Sequence, residues 1–177
     1  GVDVFDAVTA AIDFVVDGFT AILLHIPFLV VVLGLAALAY WLHRSWRLAV
    51  FVVIAFVFIA NLGYWQATIE TISLVGFATL TSVIIGVPVG VASAHRPWLY
   101  ALLRPLLDLM QTLPSFVYLI PTLVLFGLGP VPGLISTVIF ALPAPIRLTE
   151  AGIAAVPSGY QEAGQAFGAT GFQLLWK

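Results

Sequence analysis

Cysteine is absent from the 177 residues, which removes disulfide frameworks and thiolate metal sites and leaves the redox compartment unreadable from thiols. Charge is scarce as well. Only 8% of residues are charged and 62% are apolar, whereas an ordinary soluble domain carries about 25% charged residues. Such a chain belongs in a lipid bilayer. Six Lys and Arg against eight Asp and Glu give a formal charge of -2, which excludes a nucleic-acid footprint, since that needs clustered cations to neutralise phosphates. There is no G-x-x-x-x-G-K-[ST] phosphate loop, so the chain is not itself an ATPase. A secretory signal would need a positive leading region, but Asp3, Asp6, Asp13 and Asp17 stand there and the first residue is Gly1. The opening residues therefore read as mature or truncated protein.

What is present is long apolar runs. A membrane-crossing helix needs about 20 mainly apolar residues, because each residue rises about 1.5 Å through a hydrocarbon core about 30 Å thick. The expected architecture is an all-α polytopic bundle of about five transmembrane helices plus one short cytoplasmic helix. The first two spans run from Thr20 to Leu42 and from Trp46 to Trp65, with Arg44 and Arg47 in the connection. Tyr40, Trp41 and Trp46 mark one interface and Tyr64 and Trp65 the other, where amphipathic rings favour the headgroup level. The third span runs from Thr71 to Ala94. The charge-free stretch from Leu109 to Ile146 is too long for one span, and its interruption at Gly127-Leu128-Gly129-Pro130-Val131-Pro132-Gly133 divides it in two. The chain thus divides into residues 1–19, two N-terminal spans over 20–65, and a third part over 66–177 that ends in a cytoplasmic loop at about 153–177.

Cytoplasmic loops carry the excess of Lys and Arg. With the N-terminus outside and five crossings, Arg44, Arg47, Arg96, Arg104, Arg147 and Lys177 all fall on or beside the inner side. The segment Val2 to Phe19 interleaves Val4, Phe5, Val8, Ile12 and Val15 with aspartates, which suits an amphipathic helix on the outer surface; a disordered polar leader is the alternative.

Few intramembrane side chains suggest chemistry. Transporters driven by protons or sodium place carboxylates, His or paired charges near the midplane, and this chain has almost none there. Arg104 with Asp108, and Arg147 with Glu150, are spaced to pair locally on one helical face near the inner boundary. His25, just before Pro27, reads as an interfacial side chain, because a lone histidine does not make a metal site. Proline and glycine carry more information. Gly86-Val87-Pro88-Val89-Gly90, Pro114, Pro121, Pro143 and Pro145 are each expected to bend or break a helix, which is tolerated in membranes where neighbouring helices or a wet cavity satisfy the freed backbone groups. A translocation path is the functional reading, and the general enrichment of Pro and Gly in membrane helices is the plain one. Gln111, Thr112, Ser115 and Tyr118 are candidates for lining that path. Such groups also serve as hydrogen bonds between helices.

After the last span, Val156 to Gly168 is too polar and too rich in small residues to cross the membrane. Pro157 marks a boundary, Ser158 with Gln161 has the form of a capping box, and Glu162 is expected in the first turn, where the helix dipole favours an anion. Tyr160, Ala163, Gly164 and Phe167 recur at helical spacing, so one face presents two aromatics around two very small side chains. That face suits docking of a partner or packing on the chain's own bundle.

Glu162-Ala163-Gly164 followed after three residues by Gly168 resembles the E-A-A-x-x-x-G signature of ABC-importer permeases, with glycine at the second alanine. The stretches RPLLDLMQTLPSFVYLIP (104–121) and FGLGPVPGLISTVIFALPAPIRL (126–148) resemble the glycine betaine, proline betaine and choline permeases of that class. The resemblance covers about Trp65 to Lys177. It implies a bacterial inner-membrane subunit in which Glu162, Ala163, Gly164, Phe167 and Gly168 belong to a coupling helix seated on a cytoplasmic ATPase. ATP and Mg would be bound by that ATPase, with no cofactor in this chain. It also implies a second permease copy in a homodimer and an external solute-binding protein or fused domain, whose aromatic cage holds quaternary ammonium groups by cation-π attraction. The family signature continues beyond Lys177 and further family spans are missing, so a fragment that forms no complete pathway alone is expected. Two other functions fit the residues: an ABC permease for an amino acid or trimethylamine N-oxide, and a membrane scaffold or signalling subunit whose cytoplasmic helix docks something other than an ATPase.

Overall fold

The computed structural model describes residues 2–176, and helices are the regular elements among them. In chain order these are α1 (Val2–His25), α2 (Phe28–His43), α3 (Trp46–Asn61), α4 (Trp65–His95), α5 (Pro97–Thr112), α6 (Phe116–Phe126), α7 (Pro130–Ala141), α8 (Pro143–Ala154), α9 (Ser158–Ala166) and α10 (Gly171–Trp176). The molecule is an all-α polytopic membrane protein. Three helical stretches among the described residues are long and apolar enough to cross a bilayer: Val4–His25, Trp65–His95 and Pro130–Ala154. A fourth is obtained by taking α5 and α6 together. The apolar helices α2 and α3 have 16 residues each, which at about 1.5 Å per residue falls short of a core about 30 Å thick.

Several boundaries differ from those expected. The first span was placed at Thr20–Leu42, but the helix breaks at Ile26–Pro27, where proline cannot continue the hydrogen-bond ladder of the preceding turn. Residues before Thr20 are not a separate element, since they continue into α1 through His25. Trp65 opens α4 instead of closing the second span, and its ring meets Phe28 at 4.7 Å and Phe56 at 6.5 Å, both edge-on. Pro88 does not break α4, which runs 31 residues through it, and Pro121 likewise lies inside α6. The breaks occur at Leu113–Ser115 and at Leu142, each beside a proline.

The chain forms two compact units. One comprises residues up to Leu80 together with Ser115–Thr137. Here α2 and α3 form a hairpin whose turn places Arg44 in the left-handed region (φ 51°), with its N–H donating to Tyr40 O at 2.7 Å. Ser45 then caps α3 by accepting from Leu48 N–H. Edge-on ring pairs at 5.3 Å join α1 to α6 (Phe5 and Phe126) and α1 to α4 (Phe19 and Phe77). Val16, Val32, Ile69, Ala78, Val131 and Leu134 are buried. The hydroxyls of Thr122 and Ser136 hydrogen-bond at 2.9 Å, and Ser136 also donates to Pro132 O at 2.6 Å, so α6 and α7 are joined by a satisfied polar link. Between them, Gly127 (φ 78°) makes the turn predicted from the Gly-Pro cluster, in a conformation that a Cβ would strain.

The other unit comprises Thr81–Pro114 and residues from Val138 onward. Leu107 and Ile146 are buried in it, α5 packs on α8, and Ser82 donates to Val138 O at 3.4 Å. Large exposed apolar side chains such as Phe14, Val124 and Leu128 occur along the chain. They would be anomalous in water and are ordinary against lipid tails.

Candidate functional site

Within the second unit, α8 is seated directly on the C-terminal half of α4. A Cβ added at Gly90 would lie 2.7 Å from Ile146 O and from Thr149 Cβ, and one added at Gly86 would lie 2.9 Å from Pro145 Cβ. The Gly86–Gly90 spacing therefore lets two helix backbones approach closely, as small residues do in membranes. Asp108 of α5 and Arg147 of α8 form an ion pair, with side chains 56% and 31% exposed. The local pairings expected for Arg104 with Asp108 and for Arg147 with Glu150 give way to this link across 39 positions. The helix contact sets the outcome: packing of α5 on α8 brings the guanidinium to the carboxylate. No spacing rule within one helix could have indicated it.

The chain leaves α8 at Ala155, whose N–H donates to Ala151 O at 2.9 Å, and Pro157 in extended conformation (φ -59°, ψ 136°) starts α9. Ser158 is thus inside α9 and makes no capping hydrogen bond. Gln161 instead donates from Nε2 to Val156 O at 3.5 Å. This corrects the capping box expected at Ser158 and Gln161, and it moves Glu162 beyond the first turn. The box occurs one helix later: Thr170 Oγ1 accepts from Gln173 N–H at 3.4 Å, and Gln173 Oε1 accepts from Thr170 N–H at 2.8 Å.

In α9, Glu162 and Ala163 are exposed, and Tyr160 and Phe167 project with 74% and 92% of their surface free. Phe167 caps the helix and Gly168 follows at φ 78°. Gly168 N–H donates to Gln165 O at 2.9 Å and Ala169 N–H to Gly164 O at 3.0 Å, the paired bonds that close a helix on a left-handed glycine. The signature glycine therefore has a defined physical task, which is to stop α9 and turn the chain. Gly164 is half-buried, and a Cβ there would collide with Leu174 Cδ2 of α10. An alanine at this position, as in the signature, would require the Leu174 side chain to move. A groove of about 600 Å³ beside α9 is lined by Tyr160, Gly164, Phe167, Gly168 and Leu174.

Gln111 and Thr112 end α5, both exposed, with Thr112 Oγ1 donating to Leu109 O at 3.1 Å. Ser115 precedes α6 and its carbonyl accepts from Tyr118 N–H at 3.1 Å; Tyr118 is half-buried in the first turn of α6. The first pair belongs to one compact unit and the second to the other. His25 donates from its ring to Ala21 O at 2.8 Å in its own helix.

The sequence profile of the binding-protein-dependent transport system inner membrane component family matches residues 86–177, which include the α4–α8 seat and α9. Among curated proteins, the chain is 39% identical to the glycine betaine transport system permease protein OpuAB of Bacillus subtilis, over 98% of this chain and 61% of that protein. It is 41% identical to the glycine betaine/proline betaine transport system permease protein ProW of Escherichia coli, over 98% of this chain and 49% of that one. A trimethylamine N-oxide transport system permease protein, TmoV of Ruegeria pomeroyi, is 34% identical over 85% of this chain and 23% of its own length. The chain thus spans about half to three fifths of the length of the glycine betaine relatives. The profile match over more than half of the residues, on an all-helical chain with several membrane-length helices, means that the chain belongs to the binding-protein-dependent transport system inner membrane component family.

Proposed function

We propose that this chain supplies membrane-spanning and coupling parts of the permease subunit of an ATP-driven importer for glycine betaine, proline betaine or choline. In this reading α9 is the coupling helix. It seats Tyr160, Phe167 and the Glu162–Gly168 turn on a cytoplasmic ATPase that binds ATP and Mg, and closure of the ATPase is carried through α8 into the membrane helices. The observation that carries the reading is the exposed α9, closed by Gly168 in the left-handed conformation, within the segment that matches the family. The proposed orientation rests on the cations: the N-terminus lies outside, and Arg44, Arg47, Arg96, Arg104 and Arg147 lie at the inner side with α9. It requires the short α2 and α3 to cross a locally thinned bilayer and α1, although long enough to span, to lie along the outer surface. Two permease copies pair around the path, and an external receptor or fused domain delivers the solute. Gln111, Thr112, Ser115 and Tyr118 line the path.

Glycine betaine relatives, at 39% and 41% identity over nearly the whole chain, support that cargo ahead of trimethylamine N-oxide, whose permease is 34% identical over a shorter part. The test is uptake by the full-length subunit reconstituted with its ATPase and receptor in proteoliposomes. ATP-dependent accumulation of labelled glycine betaine, competed by proline betaine or choline and not by amino acids, is expected. Accumulation of trimethylamine N-oxide alone would reassign the cargo, and absence of any ATP-dependent uptake would contradict the reading.

A further inference from the structure

The helix that leads into α9 is held on two sides by contacts of different kinds. On one side Gly86 and Gly90 of α4 admit the backbone of α8, with Ile146 O so close to Gly90 that no side chain fits between. On the other side Arg147 reaches Asp108 of α5. Arg147 stands beside Ile146, so both attachments act on the same turn of α8. From there α8 continues to Ala154 and passes through Ala155–Pro157 into α9. Arg147 Nε is buried without a hydrogen-bond partner among the described residues, so Asp108 is the counter-charge recorded for this guanidinium. With side chains 31% and 56% exposed the pair adds little stability by itself, so its weight lies in where it ties α8 to α5.

We propose that Asp108 and Arg147 are positioning residues that clamp α8 to α5, so that a displacement of α9 moves α4, α5 and α8 together instead of bending α8 alone. This rests on the reading of α9 as the coupling helix. Both residues act through α8, as positioning residues do. Their loss lets ATP turnover continue while less of it is converted into movement of the membrane helices.

The experiment uses the full-length subunit in complex with its ATPase in proteoliposomes, with Asp108→Asn, Arg147→Gln, and the exchanged pair Asp108→Arg with Arg147→Asp. ATP hydrolysed per solute imported is read together with the amount of ATPase retained by each purified complex. The single variants are expected to raise the ratio about fivefold or more, the lower range of coupling effects between sites, with the ATPase retained as before. The exchanged pair should recover most of the loss. An unchanged ratio in both single variants overturns the proposal, as does failure of the exchanged pair to recover anything. Where a single variant does not fold, the exchanged pair decides alone. Should the unsubstituted complex import nothing, the functional reading fails, and the clamp is judged by thermal unfolding of the subunit: non-additive effects of the two substitutions support it and additive effects overturn it.

Discussion

Gly90 and Gly164 both stand where a methyl group would collide, yet what each would meet differs. At Gly90 the obstacle is the backbone carbonyl of Ile146 and the Cβ of Thr149, neither of which can turn away. At Gly164 it is the tip of the Leu174 side chain, which can change rotamer. Alanine favours a helix over glycine by about 1 kcal/mol at either site, so the sign depends on the neighbour. Gly90→Ala is expected to destabilise the full-length subunit by about 1–2 kcal/mol through overpacking, whereas Gly164→Ala should stay within about 0.5 kcal/mol of neutral. Thermal unfolding in mild detergent distinguishes them. Gly168 is constrained by backbone and not by space, since nothing lies near its missing Cβ and φ is 78°. Gly168→Val should cost about 1–2 kcal/mol of local stability and Gly168→Asn less. Hydrogen exchange of the last amides of α9 should rise in that order.

At the level of elements, α6 and α7 are joined by Thr122 and Ser136. A double-mutant cycle with Thr122→Val and Ser136→Ala should show a coupling of about 0.6 kcal/mol, the average for such bonds in membranes, read from unfolding of the purified subunit. Additive effects would mean that the bond contributes nothing net. How far such elements can be anticipated depends on the kind of signal. The turn at Gly127–Gly129, the connection at Arg44–Ser45 and the start of a helix after Pro157 are local, because proline, glycine and capping residues act on their own neighbours, and the sequence shows them. The break at Pro27 was legible too, but the aspartates upstream drew the boundary toward Thr20. Of the bend or break expected at Pro88, the break does not occur, since a proline within a span can be accommodated by the helix. The Arg147 link to Asp108 and the packing of Leu174 on Gly164 depend on tertiary contacts that no local rule encodes, while the family signature located α9 without them.

For the whole molecule, the orientation proposed from the few cations is open to a direct test. Single cysteines introduced at Tyr64 and at Ala163 of a full-length subunit otherwise free of cysteine should react with a membrane-impermeant maleimide from opposite sides. Tyr64 should be labelled in right-side-out vesicles and Ala163 in inverted ones. Each unit buries its own set of apolar residues and satisfied hydroxyls, and most large apolar side chains remain exposed, as suits a body solvated by lipid tails. Function on this account depends on one small helix that the membrane does not cover. The most direct measurement is photo-crosslinking from a reactive residue placed at Phe167 in the full-length subunit, co-expressed with its ATPase. A covalent adduct with the ATPase, weakened when the same probe is combined with Gly168→Val, is the result predicted. Absence of the adduct from membranes in which both proteins are present and the ATPase is bound would contradict the account.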